Sequence, residues 1–219
     1  MYLYSGPGSQ QVSNRWGDSR TIWHKDLANK GYIIACVDGR GTGYKGAEFK
    51  KSTYLNLVKY ESIDQIEAAK SLGSLSYIDE SRIGIWGWSF GGHMAAQCLL
   101  TGEEVFSMAI AVAPVTNWRF YDTIYTERFM RTPQENPEGY DLNSPLNYAD
   151  KLKGKFLIIH GSADDNVHVQ NTMRMVEELI QEDKQFEWMI YPDKNHGIFG
   201  GNTRRHLYTK MTNFIIENL

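Results

Sequence analysis

The chain has 219 residues, of which 42% are hydrophobic and 22% charged, and a formal net charge of −3. This composition predicts one globular domain with a large core and gives no reason to expect nucleic acid as a partner. No run approaches the ~18 apolar residues of a membrane span, and no signal peptide is visible after Met1. Cys36 and Cys98 lie in apolar segments and are interpreted as buried free thiols.

Strands and helices are predicted to alternate along the chain. Apolar runs indicate six strands, at 2–4, 32–37, 83–86, 107–114, 156–159 and 186–191. Helical spacing indicates helices at 21–30, 62–72, 93–100, 170–182 and 204–217, with 118–130 helical in part and 132–152 rich in loops. The helix at 62–72 carries an apolar face of Ile63, Ile66, Ala69 and Leu72. This alternation predicts an α/β fold, in which helices cover both faces of a mainly parallel sheet.

One serine stands between a predicted strand and a predicted helix. Ser89 is flanked two residues away on each side by Gly87 and Gly91. This is the pattern of a nucleophile elbow, a turn so tight that only glycine fits beside it. The Gly-rich loop at 38–43, by contrast, lacks the spacing of a dinucleotide-binding motif.

Four polar residues follow predicted strand ends: Tyr4, Ser89, Asp164 and His196. Ligands of parallel sheets bind at the carboxyl ends of the strands, so these residues are expected on one rim. The order Ser, Asp, His is that of an α/β-hydrolase triad, with His196 as the base. From the residues alone, either Asp164 or Asp165 can be the acid. A metal site of His160, Asp164, Asp165 and His168 is the weaker alternative.

The tetrahedral intermediate of such a reaction needs hydrogen-bond donors for its oxyanion. One is expected to be the backbone N–H of Phe90, the residue after the nucleophile. The His-Gly-Gly motif that often supplies the second donor is absent, and the hydroxyl of Tyr4 is predicted to replace it.

Six segments together resemble the catalytic domain of the dipeptidyl peptidase IV group in the prolyl oligopeptidase (S9) family, in a bacterial-type form: 4–7, 38–44, 87–92, 121–128, 160–168 and 195–197. The resemblance spans essentially the whole chain. It implies an α/β-hydrolase fold with Ser89 as nucleophile, Asp164 as acid and His196 as base. It also implies an oxyanion hole made by Tyr4 and Phe90, with phenylalanine where the group has tyrosine.

The same resemblance implies a serine exopeptidase. Such an enzyme releases N-terminal dipeptides after a penultimate proline or alanine, through an acyl-enzyme and without metal or cofactor. The implied substrate-binding residues are Trp88, Phe90, Val115, Trp118, Tyr121, Tyr125 and Val167, with Asn166 at the carbonyl of the first substrate residue. A tripeptidyl peptidase, another hydrolase such as an acyl-peptide hydrolase or esterase, and a non-catalytic interaction domain are the alternatives.

Two features of the family have no counterpart in this sequence. The family joins this domain to a preceding β-propeller that binds the substrate's free amine, and its hydrolase core begins with further strands. Residues 1–219 are therefore expected to be a single catalytic domain from a longer protein, weakly active or inactive alone. The parent is expected in the periplasm or cell envelope. The resemblance makes a homodimer a candidate, through an apolar stripe on the last helix, and packing of that stripe onto the sheet is the more common alternative. The stripe is formed by Leu207, Met211, Phe214 and Ile215.

Overall fold

A five-stranded sheet forms the centre of the computed structural model, which describes residues 1–17 and 19–219. Every neighbouring pair of strands is parallel, and the strands lie in the order in which they occur along the chain. They are β1 (Tyr2–Leu3), β2 (Gly84–Trp88), β3 (Met108–Val112), β4 (Lys155–Gly161) and β5 (Glu187–Tyr191). The predicted α/β class with a parallel sheet is confirmed.

Eight α-helices surround this sheet within the described residues. They are α1 (Ser19–Asn29), α2 (Ala47–Lys51), α3 (Lys59–Gly73), α4 (Phe90–Thr101), α5 (Thr123–Met130), α6 (Pro137–Leu142), α7 (Gln170–Gln181) and α8 (Thr203–Asn218). The loop-rich prediction for 132–152 is partly wrong, because this segment holds α6 and a 3₁₀ stretch at Pro145–Lys151. Both begin with proline, which is tolerated in a first helical turn because its missing N–H has no partner there.

Alternate strand residues face two separate cores. On β3, Ala109 and Ala111 face the side covered by α3, α4 and α7, whereas Met108, Ile110 and Val112 face the side covered by α1 and α8. A strand that is buried on both faces reads as a continuous apolar run, which explains the sequence pattern. The prediction of helices on both faces is confirmed.

The predicted strand at 32–37 is wrong. Only Cys36 forms an isolated parallel bridge, with Tyr2, and Ile33 is 59% exposed. Strand β1, its neighbour, has two residues, so it offers the segment few backbone groups with which to form a ladder.

The apolar stripe of α8 belongs to the core of this chain. Leu207, Met211, Phe214 and Ile215 are at most 6% exposed and pack with strand residues of the second core. The stripe therefore gives no support to a homodimer.

Helix α3 buries only part of its predicted face, with Ala69 in the core and Ile66 packed against it. Ile63 is 44% exposed, while Glu61, Ser62 and Gln65 are buried beside Ala69. Neither carboxyl oxygen of Glu61 has a hydrogen-bond partner among the described residues. Burial raises the pKa of Glu61 to about 8.

We expect Glu61→Gln to stabilise the chain at pH 8 and to have little effect near pH 4. The pKa of Glu61 is higher in the folded chain than in the unfolded chain. The contribution of Glu61 to the free energy of unfolding is therefore fully present below the unfolded-state pKa and is lost as pH rises through the folded-state pKa. A rise of about 2–4 °C in Tm at pH 8 corresponds to ~1 kcal/mol in a protein of this size. Thermal unfolding followed by circular dichroism at the two pH values measures the difference.

Glu67→Gln is the matched control, because Glu67 lies on the same helix with its side chain 64% exposed and paired with Lys70. It is expected to change Tm little at either pH. An equal gain from Glu61→Gln at pH 4 and pH 8 would contradict the assignment of a buried, proton-binding carboxyl.

Candidate active site

The turn at Ser89 requires glycine on both sides because backbone segments approach each other closely there. Ser89 has φ 60° and ψ −117°, a strained conformation for a residue with a side chain. A Cβ atom at Gly87 would lie 2.3 Å from the carbonyl oxygen of Gly91. A Cβ atom at Gly91 would lie 2.4 Å from the carbonyl oxygen of Leu3. The turn has the geometry expected of a nucleophile elbow.

Hydrogen bonds fix Ser89 between the sheet and the helix that follows it. Its N–H donates to the carbonyl of Val112 at the end of β3, at 2.8 Å, and its own carbonyl accepts from the N–H of His93, at 3.0 Å. Helix α4 begins at Phe90, so the unpaired N–H groups of its first turn lie beside the serine. This is an arrangement that can stabilise an oxyanion.

Tyr4 follows β1 and lies next to the start of α4. Its ring centroid is 6.4 Å from that of Phe90, and a Cβ atom at Gly91 would lie 3.1 Å from Tyr4 Cα. The structure therefore brings both residues of the predicted oxyanion hole to the elbow.

Asp164 and His196 are in direct contact. Nδ1 of His196 lies 2.7 Å from Oδ2 of Asp164, and the Asp164 side chain is completely buried. Oδ1 of Asp164 accepts backbone N–H groups from Asn166 and Val167, at 3.0 and 2.9 Å. Asp165 is exposed, so geometry favours Asp164 of the two adjacent acids.

The pKa of Asp164 is lowered despite its burial. Burial alone would raise the pKa, but hydrogen bonds from His160 and His196 outweigh it. Asp164 therefore stays ionised, as a group that orients a histidine base must. Among the described residues, no cluster of three or more histidine, cysteine or acidic side chains is arranged to hold a metal ion.

An aromatic box lies beside the elbow and is formed by Phe90, Trp118, Tyr121 and Tyr125. The Trp118 ring is 5.3 Å from Phe90, 5.9 Å from Tyr121 and 6.1 Å from Tyr125, measured between centroids. Burial, followed by the nearby hydroxyls of Tyr4 and Tyr121, raises the pKa of Tyr125. Burial also raises the pKa of Tyr121, so Tyr121 and Tyr125 both carry neutral hydroxyls at neutral pH.

Three further predicted pocket residues, Val115, Val167 and Asn166, lie on the same side of the sheet as this aromatic box. Val115 and Val167 are at most 2% exposed and share the core that contains Trp118. Asn166 is exposed, and its side-chain oxygen accepts a hydrogen bond from the Tyr121 hydroxyl at 3.2 Å. The structure thus brings these side chains to the same edge of the sheet as Ser89.

Residues 20–219 match the model of the prolyl oligopeptidase family. The chain belongs to this family.

Several relatives of known name and structure are similar to the whole chain. The crystal structure of Porphyromonas gingivalis dipeptidyl peptidase 4 is 55% identical and superposes with a TM-score of 0.97, covering 100% of this chain and 31% of that one. Proteins named "probable dipeptidyl-aminopeptidase B" from Coccidioides posadasii and Botryotinia fuckeliana are 44% and 46% identical, over 99% of this chain. The chain spans about a quarter of the length of these curated relatives, 24% in each case.

Trp88 lies apart from the other predicted pocket residues. It packs with the second core, on the side of the sheet covered by α1 and α8. Its indole Nε1–H donates to the carbonyl oxygen of His196 at 3.0 Å, and the guanidinium of Arg204 lies 5.1 Å from its ring. In this member of the family, the contacts of Trp88 hold the histidine loop, the segment 192–202 that carries His196, against the end of β2, just before Ser89.

Two buried histidines near the site were not predicted to take part. The ring centroids of His93 and Trp118 are 5.2 Å apart, and Nε2 of His93 contacts the carbonyl oxygen of Asn143. Burial lowers the pKa of His93 to about 4. His160 contacts Asp164, and the sequence interpretation considered it only as a metal ligand. For His160 the available signal was its place at the end of an apolar strand, because a buried imidazole needs hydrogen-bond partners.

Among the described residues, the Ser89 hydroxyl is not hydrogen-bonded to His196, whose Nδ1 contacts Asp164. Such bonds are often long or poorly aligned until a substrate is bound. The roles of the triad and pocket residues remain predictions, and the geometry fits all of them except the pocket role of Trp88.

We expect Trp88→Phe to slow the reaction of Ser89 with a fluorophosphonate probe about tenfold. Phenylalanine keeps a ring on the sheet but leaves the carbonyl of His196 without its donor, a loss of ~1–3 kcal/mol. The rate of covalent labelling, measured by mass spectrometry, reports the change.

Trp188→Phe is the control, since Trp188 lies on β5 and is 44% exposed. It is expected to label like the parent chain. A Trp88→Phe variant that labels equally fast would show that this hydrogen bond does not help position His196.

Proposed function

We propose that this chain is the catalytic domain of a serine exopeptidase that releases N-terminal dipeptides ending in proline or alanine. The observation that carries the proposal is the 2.7 Å contact between Asp164 and His196, on the rim that also carries the Ser89 elbow. The names of the similar proteins agree with this activity.

The reaction proceeds in two steps on Ser89. His196 takes the hydroxyl proton as Ser89 Oγ bonds to the carbonyl carbon of the second substrate residue. The Phe90 N–H and the Tyr4 hydroxyl donate to the resulting oxyanion. His196 then protonates the leaving amine as the peptide bond breaks, and a water molecule hydrolyses the acyl-enzyme by the same route in reverse.

The aromatic box explains the preference for proline. A proline ring is apolar and rigid, so an aromatic pocket desolvates it with little loss of conformational freedom. Alanine is small enough to enter the same space. Asn166, at the exposed edge of the box, is suited to donate to the carbonyl of the first substrate residue.

A separate part of the parent protein is proposed to bind the free amine of the substrate and so to set the dipeptide register. The acceptors for that charged amine come from a β-propeller in the proposed parent, and residues 1–219 are its single hydrolase domain. The parent is proposed to act in the periplasm or cell envelope. A homodimer remains a proposal that rests on the family resemblance alone. No described helix is long and apolar enough to cross a membrane.

We expect Ser89→Ala and His196→Ala to abolish hydrolysis of a Gly-Pro chromogenic amide by the full-length parent. Loss of a nucleophile or base costs on the order of 10⁶-fold in kcat. Initial rates with purified parent and variants measure the effect.

His206→Ala is the matched control, because His206 is exposed and contacts Tyr191 away from the elbow. It is expected to retain activity. Preference for an Xaa-Xaa-Pro amide would favour the tripeptidyl alternative, preference for a short acyl ester would favour an esterase, and an unlabelled Ser89 would favour a non-catalytic domain.

We expect Tyr125→Ala to lower kcat/KM for the Gly-Pro amide about tenfold and to affect an acetyl ester of the same chromophore much less. Losing the apolar contact of one ring corresponds to ~1.5 kcal/mol. Tyr125→Phe keeps the ring and is expected to stay close to the parent. Equal losses on both substrates would argue against a proline pocket at this position.

A further inference from the structure

His160 is a buried histidine to which the proposed reaction assigns no role. It lies in β4, its side chain is 0% exposed, and it faces three groups. Nδ1 is 2.7 Å from the hydroxyl of Thr172 on α7. Nε2 is 2.8 Å from the carbonyl oxygen of Val167 and 3.2 Å from Oδ2 of Asp164.

These partners decide where the ring carries its proton. The carbonyl oxygen of Val167 and the carboxylate of Asp164 can only accept hydrogen bonds, so Nε2 of His160 must be protonated. The opposite tautomer would aim a nitrogen lone pair at two oxygens inside the core. In the tautomer with its single proton on Nε2, Nδ1 accepts a hydrogen bond from the hydroxyl of Thr172.

We propose that His160 is a positioning residue that holds the Asp164 carboxylate in place for His196. The inference deepens the proposed function and rests on it. The same Nε2–H is shared with the carbonyl oxygen of Val167, a predicted pocket residue. The His160 ring therefore contacts both the proposed triad acid and the proposed pocket. The hydroxyl of Thr172 can donate or accept, and in this tautomer it supplies the donor that Nδ1 needs.

The hydrogen bond from His160 Nε2–H also weakens the electrostatic attraction of the Asp164 carboxylate for a protonated His196. Oδ2 of Asp164 contacts His196, from the loop after β5, and His160, from β4. The Thr172 hydroxyl of α7 is uncharged and contacts His160, not Asp164. Without the His160 N–H, Oδ2 has one donor fewer and attracts the protonated form of His196 more strongly. The acidic limb of the pH–rate profile then moves to higher pH.

Fluorophosphonate labelling of Ser89 across pH 5–9 on the full 219-residue chain tests this inference, because the probe does not require recognition of a peptide. We expect His160→Leu to reduce the labelling rate about tenfold, as removal of an orienting contact often does, and to shift the acidic limb upward by about half a pH unit. Glutamine can place its amide N–H near the position of Nε2, so His160→Gln is expected to restore most of the rate and the profile.

The threonine gives a second, milder pair of variants. Thr172→Val removes the hydroxyl with little change of shape and is expected to shift the profile in the same direction. Thr172→Ser keeps the hydroxyl and is expected to match the parent chain. Thermal melts of each variant separate a folding defect from an effect on Ser89.

Nitrogen-15 spectra of the imidazole rings test the tautomer without any reaction. A protonated Nε2 and an unprotonated Nδ1 on His160 are expected. A proton on Nδ1 alone, or a folded His160→Leu chain with the parent's rate and profile, would overturn the inference. If the unsubstituted 219-residue chain fails to label at all, the proposed function is contradicted, while the spectra still decide the tautomer.

Discussion

The carboxylate of Asp164 is the constraint on which the site depends. Its side chain is completely buried, and an uncompensated buried carboxylate is costly, so its lone pairs must be met by donors. Oδ1 is met by the backbone N–H groups of Asn166 and Val167, and Oδ2 by two histidines. The two backbone N–H groups fix the loop at the edge of the proposed pocket. Of the two histidines, His196 is the proposed base. Burying one charge therefore places both the proposed base and the edge of the proposed pocket.

The parallel sheet makes this convergence possible because the carboxyl ends of all its strands lie at one edge. Side chains then join the loops across that edge. The Thr116 N–H donates to the Asn171 side chain at 2.9 Å, which ties the loop after β3 to α7. The Asp193 N–H donates to the Ser162 hydroxyl at 2.9 Å, and the Trp88 indole to the His196 carbonyl. The polar groups of the rim thus hold the histidine loop, which has no regular structure of its own, in a defined place.

The sequence predicted most of what depends on local pattern and little of what depends on partners across the fold. Solid apolar runs indicated β2 to β5, and the glycines around Ser89 indicated the elbow, because both are properties of short segments. The strand at 32–37 was mispredicted because its pairing depends on β1, which has only two residues. The buried face of α3 was predicted only in part, because tertiary packing buries Glu61 despite its hydrophilic side chain. The contact of Trp88 with His196 joins residues 108 positions apart, and no local pattern encodes it.

The depth of the pocket residues sets how far specificity can change without loss of the fold. Trp118 and Val167 are at most 1% exposed and belong to the main core, so altering them creates cavities as well as a new pocket. Tyr121 and Tyr125 only partly belong to that core and cover the open side. Substitutions at these tyrosines alter contacts with a substrate ring at a smaller cost in stability. Changes in the proposed substrate preference are therefore expected to arise first at the two half-buried tyrosines, while Trp118 and Val167 keep the deep wall in place.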